Sequence, residues 1–259
     1  MSPENARIDL NADVGESFGA HELGDDAALV RVVTSVNIAC GFHAGDPGVM
    51  RRTVRLAMEA GVAIGAHPGY PDLQGFGRRE LNMSPEEIED AVLYQIAALA
   101  GVAAAEGGRL RHVKPHGALY NTAAKNREVA SAVAAGIAAF DRSLVLVGPP
   151  ESQLAAAAAA AGLRLAAEAF ADRAYQPDGS LAPRHLPGAV ISEPAAVLER
   201  ALTIVRRREV ATTDGSVRSI HADTLCLHGD TPGASTIAAH VRRGLEDAGI
   251  LVAALSVPA

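Results

Sequence analysis

Asp9, Asn11 and Asp13 occupy alternate positions of the segment 8–14, and His112, Lys114 and His116 do the same around Val113. Side chains alternate across a strand, so each triplet shares one face. On a strand covered from both sides, three polar groups on one face are expensive unless something satisfies them. A buried hydrogen-bond network is one way to satisfy them. Two such strands in one chain favour a reactive site over scaffolding alone. The chemistry on offer is acid–base and electrostatic, from Asp13, Glu168, Lys114 and the imidazoles of His43, His67 and His116.

Lys114 is unusual in this chain. Of 23 basic residues, only Lys114 and Lys125 are lysine. A compact ammonium inside a polar motif, in a chain that otherwise uses guanidinium, hints that its size and adjustable pKa matter there.

His43 precedes Ala44-Gly-Asp46, and His67 precedes Pro68-Gly-Tyr-Pro-Asp72, both where a strand gives way to a loop. With Asp13 they resemble an Asp/His/His metal set. No HExxH spacing is present, and the HxxxH pair His112 and His116 includes neither His43 nor His67, so a divalent metal stays an open expectation. The loop Gly75-Phe-Gly-Arg-Arg79 offers Arg78 and Arg79 to a carboxylate or phosphate, although a solvated pair would look the same. Glu168, Asp172, Arg173 and Tyr175 form a further cluster, and His228 and Asp230 end the last one. No Walker phosphate loop is present, which argues against autonomous ATP binding.

These groups all follow short apolar segments, predicted as strands near 7–13, 35–40, 62–66, 111–115, 143–147, 163–168, 222–228 and 250–254. Helices are expected at 25–34, 47–60, 84–105, 125–139, 150–161, 193–208 and 232–248. Pro47 after Asp46 and the box Ser84-Pro-Glu-Glu87 mark two of the starts. Eight strands alternating with helices predict an α/β fold, a parallel (β/α) barrel or a doubly wound sheet, with the polar ends on one rim. The length of 259 residues fits one barrel domain over 1–259. Residues 169–192, rich in Pro and Gly, are expected to form a lid loop, and 209–221 a hairpin insertion around Asp214-Gly215.

Composition narrows the partners. A net charge of −7 without a basic stripe argues against nucleic acid. With no signal peptide or long apolar run evident, the expectation is a soluble cytoplasmic protein without a membrane partner. Cys40 and Cys226 cannot make a disulfide framework and read as small buried residues.

Several longer motifs occur in order: Asp9-Leu-Asn-Ala-Asp-Val-Gly-Glu16, Asn37-Ile-Ala-Cys-Gly-Phe-His-Ala-Gly-Asp46, Gly65-Ala-His-Pro-Gly-Tyr-Pro-Asp72, Gly75-Phe-Gly-Arg-Arg79, Val113-Lys-Pro-His-Gly-Ala-Leu-Tyr-Asn121, Glu168-Ala-Phe-Ala-Asp-Arg-Ala-Tyr175 and His228-Gly-Asp230. Together they closely resemble the LamB/YcsF lactam-utilisation family, the A subunits of prokaryotic 5-oxoprolinases, from about residue 8 to 250. The resemblance implies a single irregular, TIM-like (β/α) barrel of the glycoside hydrolase/deacetylase type. It also implies opening of the 5-oxoproline lactam to L-glutamate, coupled to ATP hydrolysis, with partner subunits B and C. On that reading ATP is used with the partners, because no nucleotide loop is evident. Asp13 or Glu168 would be the general base for a water held by His43 or His67. Lys114 and His116 would stabilise developing charge. Arg78 or Arg79 would hold the substrate carboxylate, and Asn11, Asp172, Arg173, Tyr175, His228 and Asp230 would complete the substrate site. The rival expectations are a metal-dependent amide deacetylase and a non-catalytic carrier of a small anion.

Overall fold

The computed structural model describes residues 6–227 and 233–255. Its strands are β1 (Arg7–Val14), β2 (Ser35–Ala39), β3 (Ala63–His67), β4 (Leu110–Val113), β5 (Val145–Gly148), β6 (Arg164–Phe170), β7 (Glu209–Ala211), β8 (Val217–Ser219), β9 (Thr224–Leu227) and β10 (Leu251–Val252). Strands β1 to β6 pair in order, all parallel, and β9 joins β6 back to β1, closing a barrel. Eight strands are expected in the sheet from the sequence, but the ring has seven among the described residues. The eighth, β10, pairs only with Arg7 and Ile8 at the start of β1. Strands β7 and β8 form a separate antiparallel hairpin.

The helices are α1 (Asp26–Val30), α2 (Pro47–Ala60), α3 (Pro85–Ala105), α4 (Gly117–Lys125), α5 (Arg127–Phe140), α6 (Gln153–Ala160), α7 (Pro194–Arg207) and α8 (Ala234–Asp247). The start signals in the sequence act as read. Asp46 accepts from the amides of Gly48 and Val49 ahead of α2, and Ser84 and Glu87 cap α3 reciprocally. Helix α4 is an addition to the expected set, nine residues with no side-chain cap. Helix α3 has the length and apolar content to cross a membrane. Here it is docked through a stripe of Ile88, Val92, Ile96, Leu99 and Ala103, and it lies against α5.

The sheet has two unlike faces. Ile8, Leu10, Ala12, Val14, Val36, Ile38, Ile64, Val113 and Leu225 point outward and form the main core with the helices. The interior carries Asp9, Asn11, Asp13, Ser35, Asn37, His67, His112, Lys114, Glu168, Thr224 and Cys226, all buried. Val145, Val147 and Ala166 form a small apolar cluster separate from that main core. Barrels of this class normally fill the interior with branched aliphatic layers. This one fills it with hydrogen bonds.

Candidate functional site

The interior is layered along the barrel axis. At the bottom, Asp9 accepts from Thr34 Oγ1 at 2.7 Å, Ser35 Oγ at 2.5 Å and Thr224 Oγ1 at 2.5 Å. Burial raises the Asp9 carboxyl above its ordinary range, and these hydroxyls work against that rise. One layer up, Asn37 donates to Asn11 Oδ1 at 2.7 Å and to Asp13 Oδ1 at 2.8 Å. Asn11 in turn donates to Glu168 Oε1 at 3.1 Å and Thr224 Oγ1 at 2.7 Å. His112 reaches across β3 to donate from Nε2 to Asn37 Oδ1 at 2.8 Å. It can cross because residue 65 is glycine: a Cβ there would sit 2.1 Å from His112 Nε2. Burial, aided by the Lys114 charge, pushes His112 down to about 3, so the ring stays neutral.

At the rim, Lys114 Nζ lies 3.0 Å from Asp13 Oδ1 and 2.9 Å from Glu168 Oε1. It also donates to Asn11 Oδ1 at 3.3 Å and Cys226 Sγ at 3.0 Å. Burial opposes the ammonium, but the Asp13 and Glu168 carboxylates outweigh it and hold the Lys114 pKa well above its ordinary value. Burial also keeps the Cys226 thiol protonated, so it offers Lys114 a lone pair and no charge. Glu168 commits only one oxygen. Its Oε2, like the Tyr120 hydroxyl, is buried without a hydrogen-bond partner among the described residues. The two groups face each other: burial first, then the Glu168 charge and the hydroxyl's contact with that carboxylate, raise the Tyr120 pKa well above its usual value.

Three imidazoles sit beside this ion-pair cluster. His67 Nδ1 donates to the Lys114 carbonyl at 2.7 Å, and His116 Nε2 donates to the Phe76 carbonyl at 2.8 Å. Their other nitrogens, His67 Nε2 and His116 Nδ1, face each other at 3.0 Å. His43 stacks on His116 with ring centroids 3.7 Å apart. Gly77 allows this cover, because its φ is +62° and a Cβ would lie 2.7 Å from His43 Cβ and 2.8 Å from His116 Cδ2. Burial, then the neighbouring imidazoles, pushes His43 and His116 well below the ordinary histidine value. Glu16 closes the group: its Oε1 is 3.9 Å from His43 Nε2 and 3.7 Å from His116 Nδ1. One ligand atom from each of Glu16, His43, His67 and His116 lies within 4.8 Å of the others, so the four could hold a metal ion. The set expected from the sequence is Asp13 with His43 and His67. Asp13 stands close, 3.5 Å from His67 Nε2, but it is engaged by Lys114 and Asn37.

A cleft of about 570 Å³ opens over these groups, lined by Asp13, Glu16, His67, Lys114, His116 and Tyr120 on its floor and by Arg78, Arg173 and Arg184 above. A neighbouring cleft of about 440 Å³ shares Tyr120 and Phe170 and is lined by Glu168 and Tyr175. The two expected arginines part company. Arg78 lines the cleft and lies over the Phe76 ring at 4.8 Å. Arg79 instead pairs with Asp72, Nε to Oδ2 at 3.0 Å, and its side chain is 61% exposed. That hydrogen bond brings the Asp72 carboxyl down to about 2.

Arg173 is held by the carbonyls of Ala189 at 3.2 Å and Ala182 at 2.6 Å, which ties the 169–192 segment over the rim. Burial brings its guanidinium down to about 10. The Tyr175 hydroxyl accepts from the Phe170 amide at 2.9 Å and so fixes the end of β6. Asp172 is buried next to Arg173, whose charge it supports. His228 and Asp230 lie outside the described residues. Glu16, Asn37 and Tyr120 join the site without having been singled out by the sequence. Alternation on β2, which puts Ser35 and Asn37 inside together, is a legible signal for Asn37. Glu16 and Tyr120 lie beyond the strands, where alternation says nothing.

The chain as a whole has close relatives. The chain is 59% identical over 248 residues to a protein from Methylococcus capsulatus named as the A subunit of 5-oxoprolinase, covering 96% of this chain and 95% of that one. It is also 59% identical over 245 residues to one of the same name from Chloroflexus aggregans, covering 95% and 97%. The solved structure of a lactam utilization protein from Thermus thermophilus superposes with a TM-score of 0.91 at 50% identity, covering 96% of this chain and 100% of that one. The LamB/YcsF family model matches residues 8–258, and the chain belongs to that family.

Proposed function

We propose that this chain is the A subunit of an ATP-dependent 5-oxoprolinase, a soluble cytoplasmic hydrolase that opens the lactam of 5-oxoproline to L-glutamate together with subunits B and C. One observation carries the reading to the level of atoms. Glu168 Oε2 and the Tyr120 hydroxyl are an acceptor and a donor side by side in a buried site, with no partner but each other among the described residues. A cis-lactam presents the complementary pair, an N–H and a C=O on the same edge. A ligand that donates to Glu168 and accepts from Tyr120 exchanges that one contact for two hydrogen bonds of its own.

A lactam carbonyl is a poor electrophile for water. Transfer of the ATP γ-phosphoryl group to the lactam oxygen, with the N–H proton passing to Glu168 and ADP leaving, gives an imidate phosphate. Water then adds at that carbon. The ring C–N bond breaks as Glu168 returns a proton to nitrogen, and a second water releases phosphate from the acyl phosphate. On this reading Glu168 is the acid–base group. Asp13, whose Oδ1 already accepts from Lys114 at 3.0 Å and Asn37 at 2.8 Å, anchors the ammonium instead. Lys114 and Tyr120 face the oxygen on which charge develops. Arg78 holds the substrate carboxylate. The cleft is far larger than 5-oxoproline, which leaves room for the phosphoryl donor among Arg78, Arg173 and Arg184.

The test is glutamate release from 5-oxoproline by the chain with its B and C subunits, with and without ATP. ATP-dependent release that falls about 10²–10⁴-fold in Glu168→Gln and collapses in Asp13→Asn supports the proposal. The histidine cluster favours a second reading, metal-dependent amide deacetylation. Turnover without ATP that is lost on chelation would replace the first reading with that one. Tight 5-oxoproline binding with turnover unchanged in both variants would make the chain a carrier.

A further inference from the structure

We propose that Glu16, His43, His67 and His116 form a binding site for one divalent transition-metal ion, on the floor of the cleft beside Lys114. The hydrogens available on the imidazoles point there, independently of the ring-opening reaction.

His67 has spent its Nδ1 proton on the Lys114 carbonyl, and His116 has spent its Nε2 proton on the Phe76 carbonyl. In neutral rings the remaining nitrogens are lone pairs. They point at each other across 3.0 Å, a repulsive contact unless a positive species joins them. His43, fully buried with a relative exposure of 0%, has no hydrogen-bond partner for either ring nitrogen among the described residues. Its Nε2 is 3.9 Å from the carboxylate of Glu16, which also approaches His116 Nδ1 at 3.7 Å. Two nitrogen lone pairs and a His43 ring nitrogen free to offer a third therefore gather beside one carboxylate oxygen.

The dimensions fit an ion. Ligands at about 2.0–2.2 Å around a tetrahedral centre stand roughly 3.3–3.6 Å apart. The contacts here run from 3.0 Å to the 4.8 Å limit of the group, and the His43 ring, now stacked parallel on His116 at 3.7 Å, must turn out of that stack to close the shell. The outer shell also matches, because metal-binding histidines commonly donate their second N–H to a backbone carbonyl. Three imidazoles and a carboxylate select ions of the zinc, cobalt or manganese kind over magnesium or calcium, which prefer oxygen. Gly77 supplies the close cover over His43 and His116, so a side chain there would press on the shell.

The test uses the full chain alone, without 5-oxoproline, ATP or partner subunits. Its failure is thus separate from failure of the functional reading. After chelator treatment and dialysis, Zn²⁺, Co²⁺, Mn²⁺ and Mg²⁺ are titrated separately by calorimetry, with metal content measured and the Co²⁺ visible spectrum recorded. The expected result is one tightly held Zn²⁺ or Co²⁺ per chain, a tetrahedral-type cobalt spectrum and no heat with Mg²⁺. His116→Ala and Glu16→Gln, each checked for folding by circular dichroism, should weaken binding by about 10–100-fold or more. Absence of stoichiometric metal on the folded wild-type chain overturns the proposal. So does unchanged affinity in folded His43→Ala and His116→Ala, or a nitrogen-15 spectrum in which a single proton bridges His67 and His116 in the presence of Zn²⁺.

Discussion

Replacing Lys114 by Met keeps the length and volume of the side chain and removes its charge. The structure fixes what that does. Nζ lies 3.0 Å from Asp13 Oδ1 and 2.9 Å from Glu168 Oε1, and the relative exposures of the three side chains are 3%, 9% and 0%. At an effective dielectric of about 20, each attraction is worth roughly 5–6 kcal/mol before desolvation is set against it. Removing one partner of a buried pair generally costs about 3–5 kcal/mol, because the remaining charge is stranded. Here two carboxylates are stranded, so the upper half of that range is expected. For a chain of this size that is a fall of roughly 8–20 °C in melting temperature. The assay is urea and thermal unfolding at pH 7, followed by circular dichroism. Adding Asp13→Asn removes one stranded charge and should recover about 1–3 kcal/mol, a coupling measurable by a double-mutant cycle. Lys114→Arg should not rescue turnover, because four partners at 2.9–3.3 Å leave no room for a planar guanidinium. A loss below about 1 kcal/mol in Lys114→Met would refute the claim that Lys114 holds two buried carboxylates in an ion-paired cluster.

Three further outcomes follow from the same geometry. Gly65→Ala must displace the His112 ring, so it should destabilise by about 1–3 kcal/mol and lower kcat more than it raises KM; a neutral variant would contradict the crossing described for His112. His112 titrates near 3 when folded and near 6.5 in the unfolded chain, so the unfolded state binds the extra proton between those values and stability falls as pH drops through that window. His112→Gln should flatten the curve by up to about 1.4 kcal/mol per pH unit, and identical slopes by urea unfolding at several pH values would count against it. Arg78→Ala should raise KM for 5-oxoproline about tenfold, whereas Arg79→Ala should leave KM within about twofold and loosen the Asp72 loop, which steady-state kinetics and hydrogen exchange can separate.

Much of this arrangement is legible in the chain because alternation is strict in strands. Asp9, Asn11 and Asp13, or His112 and Lys114, fall inside together with no long-range information. Helix starts at Asp46-Pro47 and Ser84 are equally local. What cannot be read depends on loops. The distinction between Arg78 and Arg79 is made by the left-handed turn at Phe76 and Gly77, with φ of 55° and 62°. The histidine group gathers Glu16, His43, His67 and His116 from four separate strand ends, so no spacing along the chain marks it. Helix α4, which brings Tyr120 to the cleft, starts at a glycine and lacks a side-chain cap, so its sequence resembles a loop. Closure with seven strands instead of eight is likewise beyond local reading: β10 has strand-like residues but pairs with only the first two positions of β1.

Everything proposed for the chemistry turns on the lactam binding where Glu168, Tyr120 and Lys114 converge. A crystal structure of the chain with 5-oxoproline would locate it. The lactam N–H should lie on Glu168 Oε2, its carbonyl should face Tyr120 and Lys114, and its carboxylate should rest on Arg78. A lactam bound elsewhere in a complex that still turns over would contradict that placement.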